Sequence, residues 1–183
     1  MPRCSFFTQN EITSSYKTLT PNTLKDIYFL NLELDASGKG NHFRTVVFDK
    51  NCNILYKRDI DTIPDAIFSL DETSNIVFIT KFSGNSYAVD AYLVEEINVT
   101  PVILDLHSIS YPIFDNLKDQ TFPNIISCTD ACNIYKFDKN IKHYIKSRSI
   151  SNNESCLPAW MTPYKPAWML SNEKEKVKQE KRD

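Results

Sequence analysis

The sequence predicts an α/β domain, and three observations carry that prediction. Several short runs are almost continuously apolar and rich in β-formers, notably residues 27–32 (Ile-Tyr-Phe-Leu-Asn-Leu), 75–80 (Asn-Ile-Val-Phe-Ile-Thr) and 101–106 (Pro-Val-Ile-Leu-Asp-Leu). The first two suit strands buried on both faces, and the third reads as a further strand. Two further β-rich runs, 45–48 and 54–57, are joined by Asp49-Lys50-Asn51-Cys52-Asn53, a loop whose Asx content predicts an antiparallel hairpin. Between the second and third apolar runs the period changes. Val89, Leu93 and Ile97 fall at i, i+4 and i+8 behind Ser86, a residue suited to an N-cap, so a helix is expected there.

The remaining elements follow in chain order. Residues 1–23 are polar and read as a lead-in, and the domain is expected over 24–145. A polar turn is placed at 35–41. Residues 64–70 (Pro-Asp-Ala-Ile-Phe-Ser-Leu) suit two helical turns with proline at the first position. Beyond His107 the pattern is ambiguous: residues 109–114 and 125–126 fit strand or helix, and 133–145 is mildly periodic. A Pro/Trp-containing arm is expected over 146–170, and residues 171–183, almost all charged from Glu173 onward, form a solvated tail.

Composition limits what the chain can do. At 183 residues it suits one domain with a sizeable core, and its 42% hydrophobic and 12% aromatic content is that of a globular protein. Three glycines leave little material for a Gly-rich phosphate loop. A net charge of −2 argues against a protein that coats nucleic acid, because non-specific phosphate binding needs clustered Lys and Arg. No apolar stretch approaches the roughly 20 residues of a membrane helix, and the N-terminus lacks the apolar run of a signal peptide. Five scattered cysteines fit a reducing compartment, so a cytoplasmic or nuclear location is expected.

The order strand, hairpin, strand, helix, strand over residues 24–107 resembles the front half of the DEDD-type 3′–5′ exonucleases, whose fold is RNase H-like. Those enzymes open with a buried strand carrying D-x-E; here the strand reads Asn31-Leu32-Glu33. Their second motif, H-N-G-x-x-[FY]-D-x-x-x-L, places an acid on the first turn of a helix; here Gly84-Asn85-Ser86-Tyr87-Ala88-Val89-Asp90 runs to Val94. The helix then leads to a strand with a late Asp, here Asp105. Such enzymes use two divalent ions that polarise the scissile phosphate and activate water, and hard cations require oxygen ligands from more than one element.

The resemblance implies an RNase H-like mixed sheet with flanking helices, and it implies roles for particular residues. Glu33 and Asp90 match the catalytic acids, while Asn31, Glu33, Asp90 and Asp105 would hold Mg2+ or Mn2+, with a single-stranded nucleic acid end as substrate. Asn31 stands where the family has its first acid, Gly84 where it has a histidine, and the third motif finds no match around His143. The family reading is therefore of a degenerate, inactive relative acting in nucleic-acid-related interactions; if active, it would be a divalent-metal-dependent 3′–5′ exonuclease.

Two features lie outside that resemblance. Cys128, Cys132, His143 and Cys156 include the residue types of a zinc site, at loose spacing. Pro158-Ala159-Trp160-Met161 recurs as Pro166-Ala167-Trp168-Met169. Trp is a preferred interface anchor, so Trp160, Met161, Trp168 and Met169 are candidates for contacting a protein partner; the other reading is an arm that folds back over its own domain. The competing reading of the whole chain is a non-catalytic β-rich interaction protein, such as a fragment of a propeller, that binds through this arm. The segment 89–97 separates the two: a propeller blade has no place for a helix there, whereas the exonuclease fold requires one.

Overall fold

In the computed structural model the described residues are 16–19, 26–33, 42–69, 75–115, 122–151 and Cys156. The turn at 35–41, the repeated Pro-Ala-Trp-Met segment and the charged tail lie outside them.

The described part is all-β, with no helix. The expected RNase H-like α/β fold, and with it the kinship to the exonucleases, is therefore wrong. Among the described residues, twelve strands form three antiparallel sheets of four. Sheet one contains β1 (Tyr16–Leu19), β2 (Ile27–Glu33), β3 (Phe43–Asp49) and β4 (Ile54–Ile60). Sheet two contains β5 (Ile63–Phe68), β6 (Ile76–Ser83), β7 (Ser86–Glu95) and β8 (Asn98–Ser108). Sheet three contains β9 (Ile113–Asp115), β10 (Asn124–Cys128), β11 (Ala131–Asp138) and β12 (His143–Ser151). Each sheet is a meander in which strands neighbouring in sequence are neighbours in space.

Sheet two lies between the others, which explains its sequence. Side chains alternate across a strand, and in β6 both sets are apolar. Ile76 and Phe78 join Val89, Ala91 and Leu93 in a core shared with Phe114, Ile125 and Tyr144 of sheet three. Val77 and Ile79 join Tyr92 and Val94 in a second core shared with Ile27, Phe29 and Val47 of sheet one. The continuous apolar run correctly marks burial on both faces. It does not mark a parallel sheet, because here sheets rather than helices supply the cover.

The expected helix at 89–97 is strand β7 and the turn after it. A spacing of four is a multiple of the strand period of two as well as close to one helical turn. Val89 and Leu93 therefore share a face in either structure. The residue that decides is Ala91, which lies on that same face and is fully buried. Ile97, the third residue of the supposed helical stripe, is exposed in the β7–β8 turn. Ser86 is no N-cap. It pairs with Ser83 across a two-residue turn, Gly84-Asn85, that closes the β6–β7 hairpin. Gly84 has φ +62° and open space where a Cβ would sit, so its requirement is conformational.

Residues 64–69 form no helical turns either. Pro64 lies in β5, an edge strand of sheet two, and an edge is where a missing N–H can be tolerated within a sheet. The ladder between β5 and β6 shifts register between Pro64 and Ala66. The hairpin expected around residues 49–53 does form, with Val47 opposite Tyr56. The Asp49 carboxylate accepts from the backbone N–H groups of Asn51 (2.8 Å) and Asn53 (2.9 Å) and from Asn53 Nδ2 (2.8 Å). The Asn53 side chain, against desolvation, holds the Asp49 carboxyl below its ordinary value. At the two ends of the domain, Tyr16–Leu19 pairs with β2 and β12 continues to Ser151, so both segments belong to sheets.

Candidate functional site

Two of the residues assigned to a metal site, Asp90 and Asp105, do converge, through a local irregularity in β8. Val89 pairs with Leu106 and Ala91 with Ile103, so Leu104 and Asp105 together face the single position Asp90. This is a β-bulge. Asp105 has φ +52°, a conformation that Asp tolerates better than most side chains. The bulge aims the Asp105 N–H at Asp90 Oδ1, at 2.7 Å.

The neighbours of these carboxylates are cations. Lys81 on β6 and Asp90 on β7 are both fully buried, and Lys81 Nζ donates to Asp90 Oδ1 at 2.6 Å. Lys81 sits opposite Ala88, so Asp90 is its diagonal neighbour on the face turned to sheet one. Arg58 of sheet one reaches across and donates to Asp90 Oδ2 at 2.9 Å. Lys81 and Arg58 also each hold one oxygen of Asp105. The Tyr92 hydroxyl approaches Asp90 Oδ2 at 3.4 Å. Asp90 therefore has partners on both oxygens, and the group of two acids and two bases is neutral overall.

The electrostatics agree with a mutually neutralising cluster. For Asp105, desolvation acts upward, but the hydrogen bonds and charges of Lys81 and then Arg58 outweigh it and hold the carboxyl below its ordinary value. Desolvation acts downward on Arg58, and the Asp90 and Asp105 carboxylates override it, raising the guanidinium above its usual value. Burial, with the Asp90 charge behind it, pushes the Tyr92 hydroxyl upward. Chemically, the arrangement ties sheet one to sheet two. A buried charge is tolerated only when it is paired and hydrogen-bonded.

Asn31 and Glu33 complete the sequence-derived set. Asn31 is buried on β2 and accepts from Thr45 Oγ1 at 2.7 Å through its amide oxygen; among the described residues its Nδ2 has no partner. Thr45 pairs with Arg58 in the next strand, so Asn31, Thr45 and Arg58 form a polar row across sheet one. Glu33 ends β2 opposite Phe43. Because the Asp90 and Asp105 oxygens are engaged by Lys81 and Arg58, Mg2+ or Mn2+ has to displace two cations to bind. Titration with either ion is expected to leave the melting temperature unchanged, and a saturable rise would contradict this account of the cluster.

Sheet three carries a different donor set. Cys128 and Cys132 are paired residues at the closed end of the β10–β11 hairpin. Both are buried on the face of sheet three turned away from sheet two, together with Ile113 and Ile126. Cys156, five residues beyond the end of β12, returns to the same face and packs against both. The three sulfur atoms all lie within 4.8 Å of one another. His143 is not with them. It pairs with Asp138 at the far end of β11, whereas Cys132 pairs with Ile150.

The sequence reading singles out neither Lys81 nor Arg58. A signal for Lys81 exists: it continues the apolar run of β6, and Gly84-Asn85 is a hairpin dipeptide that would fold it back beside Asp90. Arg58 carries no comparable signal, because its reach depends on how two sheets stack. Searches against family models, curated proteins and solved structures find no match.

Proposed function

We propose that this chain is a non-catalytic interaction protein, in which a stack of antiparallel sheets presents the repeated Pro-Ala-Trp-Met segment to a protein partner. The observation that carries this reading is the anchoring of Cys156. It is buried against the outer face of sheet three and lies two residues before Pro158, where the first repeat begins. The arm therefore starts from a fixed point on the domain. Two Trp-Met pairs eight residues apart on one tethered arm suit a two-point contact, in which the second anchor binds at high effective concentration once the first is seated.

The sheet architecture supports the same reading. Successive four-stranded antiparallel meanders stacked face to face are the unit that propellers repeat, the β-rich alternative weighed from the sequence. Its discriminating segment, 89–97, is strand and turn. The single-stranded nucleic acid end rested on the exonuclease fold and gains no support from the charge cluster, whose cations are already paired with acids.

The test is a comparison of the full chain with a Trp160→Ala, Trp168→Ala double variant. Loss of the captured partner with an unchanged melting temperature is expected. A lower melting temperature with partners retained would show instead that the arm covers its own domain.

A further inference from the structure

We propose that Cys128, Cys132 and Cys156 form a three-thiolate binding site for a thiophilic d10 cation, with Zn2+ as the ion it suits best. Three donors converge from two separate parts of the chain, with all their sulfurs within 4.8 Å of one another, and zinc is a metal that clustered thiolates of this kind hold. A disulfide needs two sulfurs and leaves the third with no role. Cys156 stands at disulfide reach of both partners, with Cα–Cα separations of 6.2 Å to Cys128 and 5.2 Å to Cys132. A sulfur forms only one such bond, whereas a metal ion engages all three.

The surroundings hold two of the donors in place. The Cys128 N–H donates to Ser108 Oγ at 3.0 Å, and its carbonyl accepts from the Ile109 N–H at 2.7 Å. Cys132 is locked by pairing with Cys128 on one side and Ile150 on the other. At the hairpin tip, the Thr129 N–H donates to the Ala131 carbonyl at 2.9 Å and Asn133 Nδ2 to Thr129 Oγ1 at 3.0 Å. Two thiols thus sit on rigid strand ends, and the third arrives on the segment that leads to the arm. The apolar packing of Ile113 and Ile126 favours a soft ion held by thiolates over a hydrated hard one. Binding takes place with release of the three S–H protons, and the +2 charge of Zn2+ offsets most of the three thiolate charges. The fourth position of the tetrahedron is open to water or another side chain.

The site fastens the root of the arm to sheet three, and it holds whether or not the arm docks on a partner. The experiment uses the full chain, purified under a non-chelating reductant. Zinc content is measured by elemental analysis, and thiols shielded by Zn2+ are identified by alkylation and peptide mapping. One Zn2+ per chain is expected, with Cys128, Cys132 and Cys156 protected together and re-exposed by a chelator. Loading with Co2+ is expected to produce thiolate-to-metal charge-transfer absorption, and Cu+ offered in place of Zn2+ shows which d10 ion binds more tightly. Cys156→Ser should abolish stoichiometric binding, whereas His143→Ala should leave it at one. Mapping on the wild-type chain decides the matter even if a cysteine variant fails to fold. Absence of Zn2+ and Cu+ binding by the reduced chain would overturn the proposal, as would protection of a different set of cysteines. A disulfide mapped between two of Cys128, Cys132 and Cys156 in metal-free protein isolated without reductant, with no metal uptake after reduction, would assign the cluster to a disulfide.

Discussion

Replacing Asp90 with alanine is expected to destabilise the protein by about 3–5 kcal/mol, lowering the melting temperature by on the order of 10 °C. The cause is the partner left behind. Lys81 has no solvent exposure in its side chain, and its remaining acid, Asp105, is 59% exposed. Arg58 loses its contact with Asp90 as well, and the Asp105 N–H loses its acceptor. The catalytic-acid reading makes the opposite prediction, because removing a metal-binding carboxylate relieves repulsion and stabilises or leaves stability unchanged. Chemical denaturation of Asp90→Ala and of the Lys81→Met, Asp90→Val pair separates them. The double variant should cost less than the sum of its parts, since it removes the pair and strands no buried charge.

Phe78→Ala is expected to cost about 3–5 kcal/mol, the usual range for deleting a buried aromatic ring. Phe78 lies on β6 in the middle sheet and is fully buried. Its ring centroid is 4.7 Å from that of Phe114 and 6.5 Å from that of Tyr144, so it joins sheet two to sheet three. Loss of the ring opens a cavity bounded by two sheets whose strands are fixed by ladder hydrogen bonds, which limits collapse around it. Ile97→Ala is the matched control. The helical stripe made Ile97 a core residue, but it is exposed in the β7–β8 turn, and the change should stay within about 0.5 kcal/mol. Urea midpoints for the two variants, compared at equal m-value, test both statements.

These two sites show how much of the structure was legible beforehand. The buried strands at residues 27–32 and 75–80 could be read because burial on both faces leaves short, near-continuous apolar runs rich in β-formers. The 49–53 hairpin could be read from its Asx residues, whose side chains do cap the turn. Strand β7 could not be read from Val89 and Leu93 alone, since a spacing of four satisfies both periods; Ala91 and the Gly84-Asn85 turn held the missing information. Asp90 and Asp105 enter the sequence reading through the exonuclease motifs alone, and an acid among apolar neighbours is accounted for as well by a buried counter-ion as by a metal. Their partner Arg58 belongs to a different sheet, and nothing local encodes that contact. The same limit applies to the cysteines. The proximity of Cys128 and Cys132 follows from a short hairpin, whereas the arrival of Cys156, and the exclusion of His143, are tertiary facts.

Residues 76–108 form an antiparallel meander between two other sheets, with no helix at 89–97. The most direct measurement is a nuclear Overhauser experiment on isotope-labelled protein. Cross-strand contacts should link Ile79 with Asp90 and Ile76 with Leu93, the pairs set by the β6–β7 ladder, and residues 86–95 should show strand-type chemical shifts. Consecutive amide–amide contacts with i to i+3 connectivities through this segment would contradict the account and restore the helix.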